Sequence, residues 1–435
     1  MTAQKGLGEG EIYLSYGKER IKLPTKNLNI KEILLTAEPV SSDNIENKIR
    51  TSLSFPISSD PFKKLFSSNN KILLIVSDIT RATGSNIFLL ELIGRLNDCG
   101  IPDRNINILF SLGIHRQLND EEKLSLLGKD ICSRIKAYNH DAWSNEMEKA
   151  GTTSKGNRML LNKKIFEADK IILTGSISFH YLAGFGGGRK SLLPGVASYD
   201  SIISFHLLSL HPEQGKGRHP SATTGILTGN PMDEEMNEVL DMVKPCFLFN
   251  TVMNSKKEIV EIFAGSAKEA FLKGCIYFLE HYAIKIKEKA DLVIASCGGF
   301  PLDINFIQAH KTIEYSRNAL KKNGVLILLA ECKDGTGNKR FLDWFEYKNL
   351  IDFELALRKN FEVNGQTAYS TLAKAKDYKI ILISSFPNEI VERMSMVPVS
   401  NIDEALDIAS SFLGKNPSTY IIPQGAKTLP YHVEK

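Results

Sequence analysis

The chain has 435 residues, 43% of them hydrophobic and 24% charged, which excludes a disordered protein and exceeds what a single hydrophobic core ordinarily serves. Its 54 Lys and Arg against 50 Asp and Glu give a formal charge of +4, too small and too dispersed for a nucleic-acid or membrane surface but open to small anionic ligands. Without an apolar leader or a run of about eighteen apolar residues, and with six cysteines standing singly, the expected setting is the reducing cytoplasm.

Near the start, "EIYLSYGKERIKLP" alternates and predicts a hairpin turning at Gly17-Lys18, leading into "TKNLNIKEILL". "KILLIVSDIT" (71–80) reads as a buried strand, and "IFLLELIGRLNDCG" after it as a helix closed by Gly100. The alternation returns in "INILFSLGIHR" with "NDEEKLSLLG", and again in "ADKIILTGSISFH". Such βα units predict a mainly parallel sheet flanked by helices. "FLFNTVMNSKKEIVEIFAG" (247–265) predicts paired strands, and "AKEAFLKGCIYFLEHYAIKIK" one long amphipathic helix. Three more buried runs follow, "ADLVIASCGGFPLD", "GVLILLAECKDGTG" and "DYKIILISSFP", giving a second, smaller α/β domain. The expected division is 1–268 and 269–435, with the active site in the cleft between them.

Ligands of doubly wound sheets bind beyond the carboxyl ends of the strands. Four such ends carry polar residues: "SDITR", "SLGIHR", "TGSISFHYLAGFGGGRK" and "GGFPLDINFIQAHK". If the fold holds, they gather Asp78, Arg81, His115, Arg116, His180, Arg189, Lys190, Gln308 and Lys311 into one cationic site. Each has a plainer reading too. Asp78 with Thr80 can cap the following helix, a lone histidine is commonly a hydrogen-bonded structural one, and either arginine can be a solvated charge. The glycine-rich stretch "HYLAGFGGGRKSLLPG" could cradle a phosphate, yet it has neither the Walker spacing nor a clean GxGxxG.

Together, "DITR", "GIHR", "HYLAGFGGGRKSLLPG", His206, "GNP" (229–231), "GGFPLDINFIQAHK" and "AECKDGTG" (330–337) resemble the nickel-pincer-nucleotide-dependent lactate racemase family. The resemblance runs from about Asp78 to the last apolar strand. It implies a 2-hydroxy acid racemase or epimerase carrying nickel and a pyridinium-3-thioamide-5-thiocarboxylic acid mononucleotide, supplied by cofactor-maturation enzymes. By that resemblance Lys190 matches the lysine that tethers the nucleotide, and His206 matches the nickel ligand. His115 and His180 match the acid/base pair. Arg81 and Lys311 match residues that hold the substrate carboxylate and polarise the C2 oxygen. Asp78 and Gln308 match cofactor or site-shaping positions, and Gly186, Gly187, Gly188, Pro194 and Gly195 would wrap the cofactor, its phosphate near their amides.

The sequence also departs from the family. A tryptophan that lines the small site of lactate racemases is replaced within "NGQTAYSTLAKA" (364–375), where Thr367 follows Gln366, and Ile307 stands before Gln308 where an aromatic is expected. Both changes predict a substrate larger or more polar than lactate, such as a sugar acid. Two other readings stand beside this one. An NAD(P)-dependent 2-hydroxy acid dehydrogenase would share the hydride chemistry but lacks its GxGxxG after "KILLIVSDI". A non-catalytic anion-binding protein would have no use for a proton-transfer pair.

Overall fold

A computed structural model describes residues 11–41 and 44–432. Contacts divide the chain into two compact units, Glu38–Pro212 with Arg218–His281, and Met1–Ala37 with Glu213–Gly217 and Tyr282–Lys435. These are not the consecutive blocks 1–268 and 269–435. The N-terminal strands join the later unit because Asn29–Ile33 pairs in parallel with Ser418–Ile422, a partner nearly four hundred residues away.

The 38–281 unit is built on a six-stranded sheet in the order Ile259–Gly265, Phe247–Met253, Lys170–Ile177, Ile72–Ser77, Ile106–Ser111, Lys136–Asn139. All neighbours are parallel except the first pair, an antiparallel hairpin. The apolar runs explain the arrangement, for a parallel sheet covered on both faces needs strands that are apolar on both. Ile72 through Val76 are all buried, and Ile72, Leu74 and Val76 meet Phe88, Leu89 and Leu92 of helix Ser85–Asp98 in one core. Gly100 follows that helix with φ +81°, the left-handed stop its sequence predicts.

Strand order fixes where chemistry can gather. Ile72–Ser77 lies between Ile106–Ser111 on one side and Lys170–Ile177 on the other, so the direction of winding reverses there. The three carboxyl ends are therefore neighbours, and open α/β sheets bind ligands at such a reversal.

The other unit carries a second six-stranded sheet, Val397–Val399, Lys379–Ile383, Leu320–Leu329, Ala290–Ser296, Ser418–Ile422 and Asn29–Ile33, parallel throughout. The predicted hairpin is present as Ile12–Tyr16 against Glu19–Leu23. One helix is shorter than its sequence suggests. Glu269–Tyr282 is helical, but Ala283–Ile286 becomes a strand because Leu429–His432 offers it a parallel partner. A tertiary partner here overrides a local helical pattern.

Candidate active site

Asp78 follows the central strand directly and is almost fully buried, whereas His115, in the turn after the neighbouring strand, is half exposed. Asp78 Oδ1 accepts from Thr80 N (3.1 Å) and Thr80 Oγ1 (2.6 Å), and Oδ2 lies 2.5 Å from His115 Nδ1. Burial alone raises the Asp78 pKa, but the bonds from His115 and Thr80 outweigh it and hold the carboxyl below its ordinary range. An ionised carboxylate only accepts, so Nδ1 of His115 carries a hydrogen.

His180 sits in the short strand Phe179–His180, which pairs with Gly184–Phe185. Its Nδ1 accepts from two backbone N–H groups, Leu182 (3.3 Å) and Ala183 (3.1 Å). Its ring stacks on Tyr181. An accepting Nδ1 carries no hydrogen, the opposite of His115.

Lys190 lies in the 3-10 turn Gly188–Ser191. The turn is pinned through its backbone. Gly188 N donates to Asn250 Oδ1 (2.8 Å), Lys190 N to Gly187 O (2.9 Å) and Gly195 N to Lys190 O (3.0 Å). Among the described residues no acceptor lies within hydrogen-bonding or ion-pairing distance of Lys190 Nζ. Burial, with the charges of Arg81 and Arg189 acting in the same direction, pushes its pKa well below that of an ordinary lysine. A desolvated amine among cations is the state in which lysine becomes a nucleophile.

His206 rides on helix Tyr199–Leu207, whose N-cap Ser198 accepts from Ser201 N. Its Nδ1–H donates to Ile202 O at 2.7 Å, which puts the lone pair of the neutral ring on Nε2. Burial, reinforced by the charge of Lys190 and only partly offset by the Ile202 carbonyl, lowers its pKa to about 4. A neutral imidazole with one nitrogen tied to a carbonyl is the form that binds a transition metal.

A family profile described as the lactate racemase N-terminal domain matches residues 16–217, and one described as the C-terminal domain matches 285–429. The lactate racemase of Thermoanaerobacterium thermosaccharolyticum is 32% identical over 427 residues, covering 96% of this chain and 98% of that protein. This chain belongs to the lactate racemase family. It is accordingly an isomerase of the racemase type. The lactate racemase of Lactiplantibacillus plantarum is 29% identical over 95% of this chain and 98% of its own. The lactate racemase apoprotein structure from T. thermosaccharolyticum superposes with a TM-score of 0.86 at 31% identity, over 97% of this chain and all of that one. A Thermotoga maritima protein at 20% identity and TM-score 0.63 shares the fold.

Two cations of this lactate racemase relative turn away from the cluster expected of them. Arg189 is buried, paired with Asp233, bonded to Asn237 Oδ1 (2.9 Å) and laid over the Phe271 ring at 3.9 Å. It anchors the turn that carries Lys190. Arg116 forks onto Glu122 at 2.6 and 2.8 Å, helping to hold that carboxyl down at about 2, and belongs to the start of helix Asp120–Arg134.

The glycines also serve packing. A Cβ on Gly188 would lie 2.1 Å from Leu248 Cδ1, and one on Gly187, whose φ is +139°, would meet Phe271 and Ile177. Gly186 N donates to Ser178 O, so with Gly188 and Gly195 three of these amides are already engaged within the protein. What these glycines with Pro194 offer a ligand is close backbone approach, with little spare N–H donation.

In the other unit, helix Phe306–Ser316 carries Gln308 and Lys311 on exposed positions, Lys311 Nζ donating to Gln308 Oε1 at 2.8 Å. Asn305 caps it, and buried Glu314 fixes it to helix Val363–Asp377 by accepting from Ser370 Oγ (2.6 Å) and pairing with Lys374. On that second helix Gln366 is fully buried, and neither amide atom has a hydrogen-bond partner among the described residues. Asn250, Asp233 and His140, which holds Ala197 O at 3.0 Å, shape the site without announcing themselves in sequence. Only their placement on a buried strand, on a helix face and just past an edge strand could have marked them.

Proposed function

We propose that this enzyme inverts C2 of a 2-hydroxy acid, as a racemase or epimerase, with a nickel-pincer nucleotide tethered through Lys190 and its nickel held by His206. The observation that carries the reading is the pair itself. A desolvated lysine amine without an acceptor lies within electrostatic reach of a neutral histidine whose Nδ1 is already committed. A tethering amine must be unprotonated to form an amide-type bond, and a metal-binding imidazole must be neutral, so both residues fit the group.

When bound, that group supplies a two-electron acceptor that takes the hydrogen of C2 as hydride and returns it to the opposite face. The protein's own residues handle binding and protons. His115 and His180 exchange the hydroxyl proton, Asp78 fixes the His115 ring, and Arg81 with Lys311 binds the carboxylate and C2 oxygen. Gln308, the Gly186–Gly188 backbone, Pro194 and Gly195 approach the nucleotide. The substrate is larger or more polar than lactate, a sugar acid being the type; the bare amide of Gln366 supports this, since a buried amide calls for a polar partner. Maturation enzymes deliver the cofactor, and the unpaired cysteines support a cytoplasmic setting. Among the described residues no helix is long and apolar enough to cross a membrane.

The test is production alongside the cofactor-synthesis enzymes, followed by intact-mass and metal analysis. The expected result is a covalent addition mapping to Lys190 and about one nickel per chain, the nickel but not the adduct being lost in His206→Ala. Active enzyme with unmodified Lys190 would overturn the reading. A panel of single-enantiomer 2-hydroxy acids, including lactate, malate and gluconate-like acids, followed by chiral chromatography, identifies the substrate.

A further inference from the structure

We infer that Asn230 is a positioning residue for His180, assisted by Arg218: the two fasten the turn that presents this ring to the segment opening helix Pro231–Val243, the element that also holds the Lys190 turn. The inference rests on the proton-transfer role proposed above for His180. It goes beyond that role, since the proposed chemistry gives the GNP stretch (229–231) no part.

Capping the helix does not by itself call for asparagine. Asn230 Oδ1 accepts from Met232 N at 3.1 Å, Pro231 takes the first helical position, and Gly229 makes the preceding turn at φ +69°. Ser, Thr or Asp would cap as well. What they lack is the other half of the amide. Asn230 is fully buried, and its Nδ2 directs its two hydrogens at Leu182 O (2.8 Å) and Ile226 O (3.0 Å). A hydroxyl has one hydrogen and a carboxylate has none.

The bond to Leu182 O matters because the turn has little to hold it from within. Phe179–His180 pairs with Gly184–Phe185 over two residues, too short a hairpin to keep its shape alone. The N–H groups of Leu182 and Ala183 turn inward to His180 Nδ1, so the turn is fastened outward through its carbonyls. Tyr181 O accepts from Arg218 Nη2, Leu182 O from Asn230, and Gly184 O from Gly225 N at 3.0 Å, all donors of the 218–230 segment. Of the three, Asn230 is the one that begins a helix. Three residues along that helix, a rise of about 4.5 Å, Asp233 pairs with Arg189, and Asn237 accepts from the same guanidinium at 2.9 Å. One rigid element thereby fixes both the ring that handles the proton and the turn that carries the tether. A misplacement of about 1 Å in such a pair can cost a hundredfold in rate.

Asn230→Ser keeps the cap and deletes both Nδ2 donors. In apoprotein labelled with 15N-histidine, ring correlations assigned with His180→Ala and His115→Ala are expected to show the His180 signals displaced and the His115 signals in place. An asparagine that served only the helix would leave the His180 ring as it is. An unmoved His180, or a His115 displaced as far, therefore overturns the inference. Should Asn230→Ser not fold, Arg218→Met, which removes the donor to Tyr181 O, is read in its place with the same two outcomes. In protein produced with the cofactor-synthesis enzymes, the addition at Lys190 is expected to form as in the wild type, because Asp233 and Asn237 still hold Arg189, while kcat falls by about ten- to a hundredfold. In a His180→Ala background the same substitution is expected to lower the residual turnover no further. An undiminished loss in that background, or loss of the adduct, overturns the inference. The ring signals need neither cofactor nor substrate, so a wild type that inverts no 2-hydroxy acid would count against the proposed function instead.

Discussion

Arg189→Met gives the sharpest test of how the Lys190 turn is held. The methionine keeps an unbranched apolar side chain but deletes the guanidinium that lies over Phe271, pairs with Asp233 and bonds Asn237 Oδ1. Asp233 then remains buried without its cation. Burial already raises its pKa against the opposing pull of Arg189 and Asn237, so removing the arginine drives it toward protonation. Breaking a buried pair from one side typically costs about 3–5 kcal/mol. Asn237 Nδ2 still donates to Asp233 Oδ2 at 3.1 Å, which places the expected loss near the lower end, about 3 kcal/mol. Against a domain stability of about 5–15 kcal/mol that is a large fraction. The chain's two tryptophans make the assay local, because Trp143 lies in the 38–281 unit and Trp344 in the other. Urea unfolding of a Trp344→Phe background therefore follows Trp143, which stacks on Tyr199 at 5.5 Å. The double variant Arg189→Met with Asp233→Leu should recover most of the loss, since an apolar pair in place of a buried ion pair is commonly neutral or better. A single-variant loss under about 1 kcal/mol, or a double variant as unstable as the two losses added, refutes the reasoning.

Other expectations follow from the same geometry. The depressed Lys190 pKa means that, between its folded and unfolded values, the unfolded chain binds one proton more than the folded one, so apoprotein stability rises with pH there. Lys190→Met should flatten that rise in pH-dependent denaturation and abolish the covalent adduct in intact-mass spectra. His140 is buried, and burial lowers its pKa to about 4 against a weaker raising effect of its bond to Ala197 O. Stability is thus lost as pH falls from the unfolded value toward 4, by at most about 3 kcal/mol relative to His140→Asn in matched melts. Gly188→Ala, driven into Leu248, should cost about 1–3 kcal/mol in urea unfolding.

What the sequence reveals and what it hides divide along local and non-local lines. Ile72–Ser77 and Lys170–Ile177 are legible because continuous apolar runs followed by polar residues are local signals. So is the placing of Asp78, His115 and His180, which need only lie just beyond strands. The fate of Arg189 is not legible. Its neighbours in sequence are glycine and Lys190, and only folding brings Asp233 to it. Arg116 escapes for a milder reason, since Glu122 competes for it six residues on. The strand Ala283–Ile286 reads as helix because its partner lies near the other end of the chain. Composition gives the opposite Nδ1 roles of His115 and His180 no signature at all; they follow from one carboxylate and two amides that the turns supply.

Residues Glu213–Gly217 belong to the 282–435 unit although the chain on both sides of them does not. Buried Glu354 takes up Gly215 N at 3.0 Å and Gly217 N at 2.7 Å, one on each oxygen. The polypeptide therefore passes between the units at four places, after Ala37, Pro212, Gly217 and His281. Neither unit is a contiguous stretch of gene, and no single truncation or proteolytic cut yields either one whole. Within such a weave, a fragment ending at His281 lacks Glu354 and the strand that pairs with Asn29–Ile33. Swapping one unit of this enzyme for that of a relative would have to exchange two segments at once for the 38–281 unit and three for the other.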